Sequence, residues 1–297
     1  MINSLWISCG LISSLAVSSA ALARSYDDII ESKQITVAIY RDFAPFSYLV
    51  DGLPKGIDID VAQSIAKQLN VELKLRWMTA DENVEDDLRN NLWKGHFLKR
   101  SVADLMLRVP YDRAYSQMRD DIGELVHGQV HMFAPYHTES WQIIYNADQI
   151  ESVTTIAVFQ YHNIGVEVDS IPQFYLTSAF AGRMRDSAKH FSSIPLALDA
   201  MNSGEVDAAM GLRSQISHFQ QTLDSKKYPL AENAFPMLGR QQWDIGMAVK
   251  SQYRQLGYAV GDIVENMIKQ GDMENIFTKY HAIYQIPELY LPTETHP

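Results

Sequence analysis

Residues 55–70 (KGIDIDVAQSIAKQLN) constrain the fold more than any other stretch, because a glycine turn leads directly into a helix with one apolar face. The apolar residues of this helix recur three or four positions apart, which is the spacing of a buried helical stripe. A β-rich run at 35–40 (ITVAIY) precedes the helix, and the alternating run 71–77 (VELKLRW) follows it. This order predicts a βαβ unit of a parallel sheet, with the loop at 41–56 on the edge where such sheets bind ligands.

A second α/β pattern lies further along the chain. Strands are predicted at 163–168 and 205–212, and they alternate with helices at 194–201 and 213–223. Between the two patterns, the buried run ADLMLRV predicts a strand that ends at Pro110, because the residue before a proline seldom continues a regular element.

Two further strand-like segments, 131–145 and 241–249, join the halves, and a turn is predicted inside the first at Pro135 and Tyr136. We therefore predict an α/β fold of two lobes, each a mostly parallel sheet flanked by helices, with two crossing strands between them. Ligands usually enter the cleft of such a protein. The predicted boundaries are residues 24–140 and 236–297 for lobe 1, and residues 141–235 for lobe 2.

Charge and the amino terminus limit the function. The formal net charge of −11 argues against binding to nucleic acid or to an anionic membrane. Residues 1–23 contain no charged side chain and end in Ala-Leu-Ala, which predicts a signal peptide and export; a retained membrane anchor is the alternative. Cys9 is the only cysteine, so cleavage after Ala23 would leave a protein without a thiol or a disulfide.

Several motifs together resemble one family. The runs ITVAIYRDFAPFSY, KGIDIDVAQSIAKQLN, ADLMLRVPYDRAY and GEVDAAMG, and the closing WDIGMAVKSQYRQL, occur in the order found in extracytoplasmic solute-binding proteins of ABC transporters, family 3. This resemblance implies a type II periplasmic-binding-protein fold and a periplasmic, monomeric protein. Such a protein closes on a small polar solute, anionic or zwitterionic and amino-acid-like, and delivers it to an ABC permease. The resemblance implies no catalytic residue, no cofactor and no metal.

A second resemblance covers less of the chain. The pair LRNNLWKGH and DLMLRVPYD is similar to the J-type accessory proteins of quinoprotein alcohol dehydrogenases. It implies a different partner, a periplasmic dehydrogenase or cytochrome, and no small ligand. A third hypothesis is an enzyme, because some relatives of this fold dehydrate cyclic acids; it requires an unpaired carboxylate or histidine that faces the cleft.

The family resemblance also implies ligand-binding residues. Phe43 falls where the family has an aromatic wall, with Tyr40 as a lesser candidate, and an aromatic face can stack on a planar or cationic ligand. Arg113 falls where the family clamps a ligand carboxylate, for which the guanidinium fork is suited, and Arg108 is an alternative. Ser170 falls where the family holds the same carboxylate at a helix N-terminus.

Each of these assignments has a structural alternative. Phe43 could be a core residue, although Phe46 is the better candidate for the core. Arg113 could be a solvated loop residue paired with Asp112 or Asp120, and Ser170 could be a plain N-cap.

The sequence also departs from the family. Many members have an acidic residue that holds the ligand's ammonium group, and Leu212 stands at that position here. A buried ammonium group without a counter-charge is costly, so this departure argues against a standard α-amino acid ligand unless Glu167 or Asp244 replaces the missing acid. His127, His131 and His137 cluster near Met132 and suggest either a metal site or, as we favour, scattered histidines of a hinge.

Overall fold

The computed structural model describes residues 23–98, 100–232 and 235–292. Residues 1–22 of the predicted signal peptide, with Cys9, lie outside the described residues. Within the described ranges, no helix combines the length and the apolar character that a membrane span requires.

Ten strands are described, in chain order: β1 (Gln34–Tyr40), β2 (Tyr48–Val50), β3 (Leu53–Lys55), β4 (Glu72–Met78), β5 (Leu105–Tyr111), β6 (Val130–Tyr145), β7 (Ile164–Glu167), β8 (Ala188–Phe191), β9 (Ala208–Leu212) and β10 (Gln242–Lys250). The α-helices of the same residues are α1 (Tyr26–Ser32), α2 (Ile57–Gln68), α3 (Val84–Leu88), α4 (Arg113–Ser116), α5 (Ile171–Gly182), α6 (Ile194–Ser203), α7 (Arg213–Gln220), α8 (Arg254–Lys269) and α9 (Asp272–Lys279). A wider π-helical turn, Arg89–Trp93, continues α3.

The strands form one long sheet in the order β4-β1-β5-β10-β6-β9-β7-β8, and β2 and β3 form a separate hairpin. Lobe 1 contains β4, β1 and β5, which run parallel, followed by β10 and the first part of β6. Lobe 2 contains β9, β7 and β8, which also run parallel, and the last part of β6. The predicted fold class, with two mostly parallel lobes, is therefore confirmed.

The βαβ unit predicted around residues 55–70 is present as β1, α2 and β4, and β1 pairs with β4 in parallel. The predicted apolar face of α2 is buried, whereas Gln63, Lys67 and Gln68 on the opposite face are exposed. Burial of that face fixes α2 on the sheet. The buried residues are Val61, Ala62, Ile65, Ala66 and Leu69.

The turn predicted at Pro135 and Tyr136 is wrong, because β6 passes through both residues as one strand. The strand contains a bulge instead: Phe133 pairs with Met247 and His137 pairs with Ile245, so three residues of β6 face a single residue of β10. Proline is tolerated in a bulge because its missing N–H is not needed for the ladder there. One continuous strand consequently crosses from lobe 1 to lobe 2.

The second crossing is the segment that leads into β10. Trp141 of β6 donates its backbone N–H to the carbonyl of Gln241 at 3.3 Å, so this segment runs beside β6 where the lobes meet.

The prediction that the β5 strand ends at Pro110 is also wrong. Pro110 and Tyr111 belong to β5 and pair with Ile245 and Asp244 of β10. The sequence rule on prolines disfavours a helical residue before them, but it is compatible with an extended strand.

Candidate functional site

The candidate site is the cleft between the lobes, where cavities of about 450 and about 210 Å³ share part of their lining. Phe43 of lobe 1 and both Glu167 and Leu212 of lobe 2 line both cavities. Tyr40, Glu167 and Leu212 are the last residues of β1, β7 and β9. The cleft therefore lies at the carboxyl ends of parallel strands, as expected for an open α/β sheet.

Arg108 forms the floor of the larger cavity on the lobe 1 side. Its Nε donates to Oδ2 of Asp58 at 2.7 Å and its Nη2 to Oδ1 at 3.3 Å, and both residues are buried. Its Cζ atom lies 3.5 Å from the ring centroid of Phe46, so the guanidinium is stacked on that ring. Arg108 also has a left-handed backbone, with φ of 60°, which is uncommon for a residue with a side chain.

These contacts fix the guanidinium but do not use all of its donors. Asp58 is held in turn by the hydroxyl of Tyr136, which donates to Oδ1 at 3.0 Å. Among the described residues, Nη1 of Arg108 makes no hydrogen bond to the protein, and Arg108 lines the cavity. Arg108 is thus a preorganised donor for an anionic group of a ligand.

Aromatic side chains form the walls of the cleft. Phe43 packs on Phe46 with ring centroids 4.9 Å apart, and Tyr40 meets its edge at 6.4 Å. Phe46 is fully buried, which confirms that it is the core residue of the pair. Trp243 lines the larger cavity and Trp141 the smaller one, and their centroids are 4.7 Å apart. These faces suit a ligand with an apolar or cationic part.

The hydroxyl of Tyr40 is not available to a ligand. It donates to Oδ2 of Asp87 at 2.7 Å. Burial, and then the negative charge of Asp87, raise the pKa of Tyr40 well above its ordinary value. The ring of Tyr40 therefore contributes surface to the cleft, and its hydroxyl anchors the strand end.

Glu167 is the acidic residue of lobe 2 in the cleft. Burial raises the pKa of its carboxyl group, and the backbone N–H of Ile194 at the start of α6 partly offsets this. Glu167 forms no ion pair with a lysine, arginine or histidine of the described residues. Asp244, the other acid predicted to replace the missing one, accepts a hydrogen bond from Thr138 at 2.6 Å and lines neither cavity.

A second acid, Glu139, lies where β6 passes between the lobes. Its carboxylate accepts hydrogen bonds from the backbone N–H of Ser214 at 3.2 Å and of Ser140 at 3.1 Å, and from the hydroxyl of Ser214. Burial opposes its ionisation, but His137, Ser214 and Arg108 together hold its pKa below the ordinary value. Glu139 thus caps the start of α7 as a carboxylate.

This pKa predicts an acid-dependent part of the stability. A carboxyl group whose pKa is lowered by folding stabilises the folded protein at any pH above the ordinary pKa of glutamate, about 4.3. This stabilisation is lost as the pH falls through the lowered pKa of the folded state. We expect Glu139→Gln to reduce the dependence of the unfolding free energy on pH, measured by urea unfolding from about pH 7 to about pH 3. The exposed Glu151→Gln is the control. If the unfolding free energy of Glu139→Gln depended on pH as that of the wild type does, the lowered pKa of Glu139 would be refuted.

Helix α7 of lobe 2 also contacts lobe 1 directly. The amide of Gln215 donates to the carbonyl of Ala44 at 2.9 Å, and the backbone N–H of Ile283 donates to the hydroxyl of Ser217 at 2.9 Å. Nδ1 of His218 lies within hydrogen-bond distance of the carbonyl oxygen of Tyr280. We call these contacts the α7 latch.

The structure separates the predicted ligand-binding residues. Tyr40, Phe43 and Arg108 line the larger cavity, and Ser170 lines the smaller one. Ser170 is the N-cap of α5, because its hydroxyl accepts the N–H of Gln173 at 3.3 Å. Its role toward a ligand stays a prediction.

Arg113 lies apart from the other four. It begins the short helix α4 and lines a different cavity. Asp112, its expected partner in the structural alternative, is paired with Arg240 at 3.1 Å instead. The prediction that Arg113 clamps a ligand carboxylate is not tested by this placement, but such a ligand would not share a cavity with Arg108.

The three clustered histidines take different positions. His127 packs on Tyr115 with ring centroids 4.3 Å apart, His131 stacks on Phe133 at 5.7 Å, and His137 contacts Phe277 at 4.5 Å. No group of three or more metal-ligating side chains occurs in the part of the chain that the structure describes.

Sequence reasoning missed several residues of the site. Asp58 was part of the quoted helix motif, but its role depends on Arg108, which is 50 positions away. Glu139 and the two tryptophans, Trp141 and Trp243, lie on strands whose pairing was not predicted. An acidic residue on the buried side of α2 was the one signal that could have identified Asp58.

The sheet, the crossing β6 strand and the cleft at the strand ends define a two-lobed type II periplasmic-binding-protein fold. Residues 35–93 match the family described as bacterial extracellular solute-binding proteins, family 3. That segment contains β1, α2 and β4, so the predicted resemblance to this family is confirmed for the part of the chain that most constrains the fold. No curated protein matches the chain in sequence.

Solved structures agree with this fold over most of the chain. The ancestral cationic amino acid solute-binding protein AncCDT-1 is similar with a TM-score of 0.66 and 16% identity, over 86% of this chain and 99% of that one. The amino acid ABC transporter substrate-binding protein AbpA from Streptococcus pneumoniae, bound to L-arginine, has a TM-score of 0.61 and 21% identity, over 86% and 97%. A second structure of AncCDT-1, described as a precursor of cyclohexadienyl dehydratase, has a TM-score of 0.58 and 18% identity, over 86% and 98%.

Proposed function

We propose that this protein is a periplasmic solute-binding protein that captures a small zwitterionic, amino-acid-like solute between its lobes for an ABC transporter. The observation that carries the proposal is that charges of both signs line one cavity, which Arg41, Asp42 and Glu139 also line. Arg108 of lobe 1 and Glu167 of lobe 2 both line the cavity of about 450 Å³. A ligand that contacts both residues bridges the lobes and favours the closed state.

Glu167 supplies the counter-charge that Leu212 cannot. The proposed solute places its ammonium group against Glu167, and its positive charge offsets the cost of a half-buried carboxylate. Its carboxylate accepts from Nη1 of Arg108, and its side chain packs on Phe43 and Trp243. Two of the similar structures support an amine-bearing solute: AbpA is bound to L-arginine, and AncCDT-1 is described as a cationic amino acid solute-binding protein.

The proposal also includes the predicted boundaries of the lobes and the predicted export of the protein. Residues 24–140 and 236–297 would form lobe 1, and residues 141–235 lobe 2. The buried clusters support this division, because three of them draw on one set each and the fourth, in lobe 2, adds only Leu238 from the other set. We extend the proposal to export by the signal peptide to the periplasm, a monomeric state and delivery to an inner-membrane permease, as the resemblance to the family implies.

The test is a thermal-shift and calorimetry screen against cationic and neutral amino acids, organic acids and alcohols. We expect an amino acid to stabilise the protein by about 2.7 kcal/mol at a hundredfold excess over its dissociation constant. Glu167→Gln should weaken its binding about tenfold to hundredfold, because a hydrogen bond to a charged group contributes about 1.5–3 kcal/mol. The ligand should be recovered unchanged, as expected of a binding protein and not of a dehydratase.

Asp244→Asn is the matched control, since it removes an acid of similar burial that lies outside both cavities. The proposal predicts wild-type affinity for this variant. Equal losses in the two variants would mean that Glu167 acts through folding, and tight binding of an organic acid without an amine would refute the zwitterionic solute.

The second candidate function is the accessory protein that binds a periplasmic dehydrogenase or cytochrome. The observation that favours it is the exposure of apolar side chains on the loop at 94–101 and on the insertion at 116–128: Phe97 is 76%, Leu98 is 74% and Ile122 is 84% exposed. Absence of any stabilising solute, together with capture of such a dehydrogenase by the purified protein, would favour this function over transport.

A further inference from the structure

A cavity of about 460 Å³ lies outside the interlobe cleft. Helix α4 and the insertion that follows it form one side, and the start of β6 and the first residue of α8 form the other. Its charged and titratable side chains are Arg113, Arg254, His127, His131 and Tyr111, and its lining contains no acidic residue. Such a lining is unexpected in a chain with a net charge of −11.

The two arginines of this cavity lack carboxylate partners among the described residues. Asp112, next to Arg113, is paired with Arg240 at 3.1 Å. Arg254 donates only a weak hydrogen bond, from Nη2 to the hydroxyl of Ser251 at 3.4 Å. Both arginines are exposed, so water screens their mutual repulsion, and an anion bound in the cavity would be attracted by both.

The acids of the insertion do not fill this role. Oδ1 of Asp120 accepts the backbone N–H groups of Ile122 at 3.1 Å and of Glu124 at 2.8 Å, so its carboxylate is used within its own turn. Glu85 lies 3.7 Å from Nε2 of His127, and it lines an adjoining cavity of about 150 Å³ that shares His127 and Val130 with this one.

Two histidines line the cavity and add polar ring nitrogens to it. His127 is 6% exposed, and its Nε2 has no hydrogen-bond partner among the described residues. Burial lowers the pKa of His127, and burial followed by the charge of Arg254 lowers that of His131. Both effects favour the neutral rings, so the two arginines supply the positive charge of the cavity.

Apolar side chains complete the lining. Leu125, Val130 and Met132 face the same cavity, next to the ring of Tyr111. We propose that this cavity is a second ligand site, distinct from the cleft, which binds a small organic oxyanion with an apolar body, such as a phosphate monoester. The arginines hold the oxyanion by charge-assisted hydrogen bonds, and the apolar side chains contact the body.

The experiment is calorimetric titration of the purified protein with phenyl phosphate and, separately, with inorganic phosphate. We expect Arg113→Gln and Arg254→Gln each to weaken phenyl phosphate binding about tenfold, and the double variant about a hundredfold. Inorganic phosphate should bind more weakly than phenyl phosphate, because it cannot contact Leu125 or Met132. Arg119→Gln is the control: Arg119 lies in the same insertion, but its Nη1 is bonded to the carbonyl of Gly123 and it does not line the cavity.

Three results would overturn the proposal. One is the absence of heat with phenyl phosphate up to about 10 mM, which corresponds to a binding free energy weaker than about −3 kcal/mol. Another is equal affinity of the double variant and the wild type. The third is tighter binding of phenyl phosphate in Glu167→Gln, because loss of a negative charge would strengthen binding only if the anion lay in the cleft. Failure of the amino acid screen, with phenyl phosphate binding intact, would affect only the proposed solute.

Discussion

Replacement of Gly56 by alanine is expected to destabilise the protein by about 4 kcal/mol. Gly56 has φ of 131°, a backbone region that residues with a side chain rarely adopt, and strain of this kind costs about 1–3 kcal/mol. A Cβ atom at Gly56 would also lie 2.2 Å from the carbonyl oxygen of Phe46, and overpacking of this kind adds about 1–3 kcal/mol. Because Phe46 lies under the guanidinium of Arg108, the displacement would reach the floor of the cleft.

Gly52→Ala is the matched control, because Gly52 also has a positive φ, of 77°, but no atom lies within 4 Å of its added Cβ. We expect it to cost only the backbone strain, about 1 kcal/mol. Urea unfolding followed by circular dichroism measures both values. Similar losses for the two variants would show that Gly56 is needed for its conformation alone and that the contact with Phe46 can relax.

The second large effect is expected for Asp58→Asn, at about 3–5 kcal/mol. Asp58 and Arg108 are buried together, and removal of one charge from a buried pair leaves the other without compensation. Asparagine keeps the shape and can still accept from Tyr136, so the loss reports the charge. The variant should also lose solute binding, since Arg108 would no longer be fixed.

Asp60→Asn provides the comparison on the same helix. Asp60 pairs with Lys279 at 2.6 Å, but the lysine side chain is 62% exposed, and exposed ion pairs contribute about 1 kcal/mol or less. If Asp58→Asn does not fold, Tyr136→Phe removes one hydrogen bond to Asp58 and should cost about 1 kcal/mol. If Asp58→Asn changed the unfolding free energy by less than about 1 kcal/mol, the negative charge of Asp58 would not be what holds Arg108.

The periodicity of apolar residues alone was sufficient to predict the helices and strands that bury one face. Helix α2 and its flanking strands were predicted to within two residues, because local spacing determines which side chains face the sheet. The bulge in β6 was not predictable in this way. It depends on pairing with β10, which lies more than a hundred positions away, and on the absence of a side chain at Gly246, where a Cβ atom would lie 2.8 Å from the carbonyl oxygen of Phe133.

The site was predicted less completely than the fold, for a related reason. Phe43 was identified from the family resemblance and Arg108 as the alternative to Arg113, and both line the larger cavity. The sequence could not show that Asp58 neutralises Arg108, or that Glu167 and Leu212 line the same cavity, because these relations arise from folding. The separation of Arg113 from the cleft has the same origin.

The α7 latch has a consequence for how the resting position of the lobes can change. Its contacts with Ala44, Tyr280 and Ile283 all use backbone atoms on the lobe 1 side, whereas the α7 side supplies the side chains of Gln215, Ser217 and His218. Substitutions at the three lobe 1 positions therefore leave the bonding groups in place. Single mutations on α7 are therefore expected to change the open–closed equilibrium, whereas on the lobe 1 side such mutations are expected at Glu139 and Gln285, whose side chains bond to the same helix.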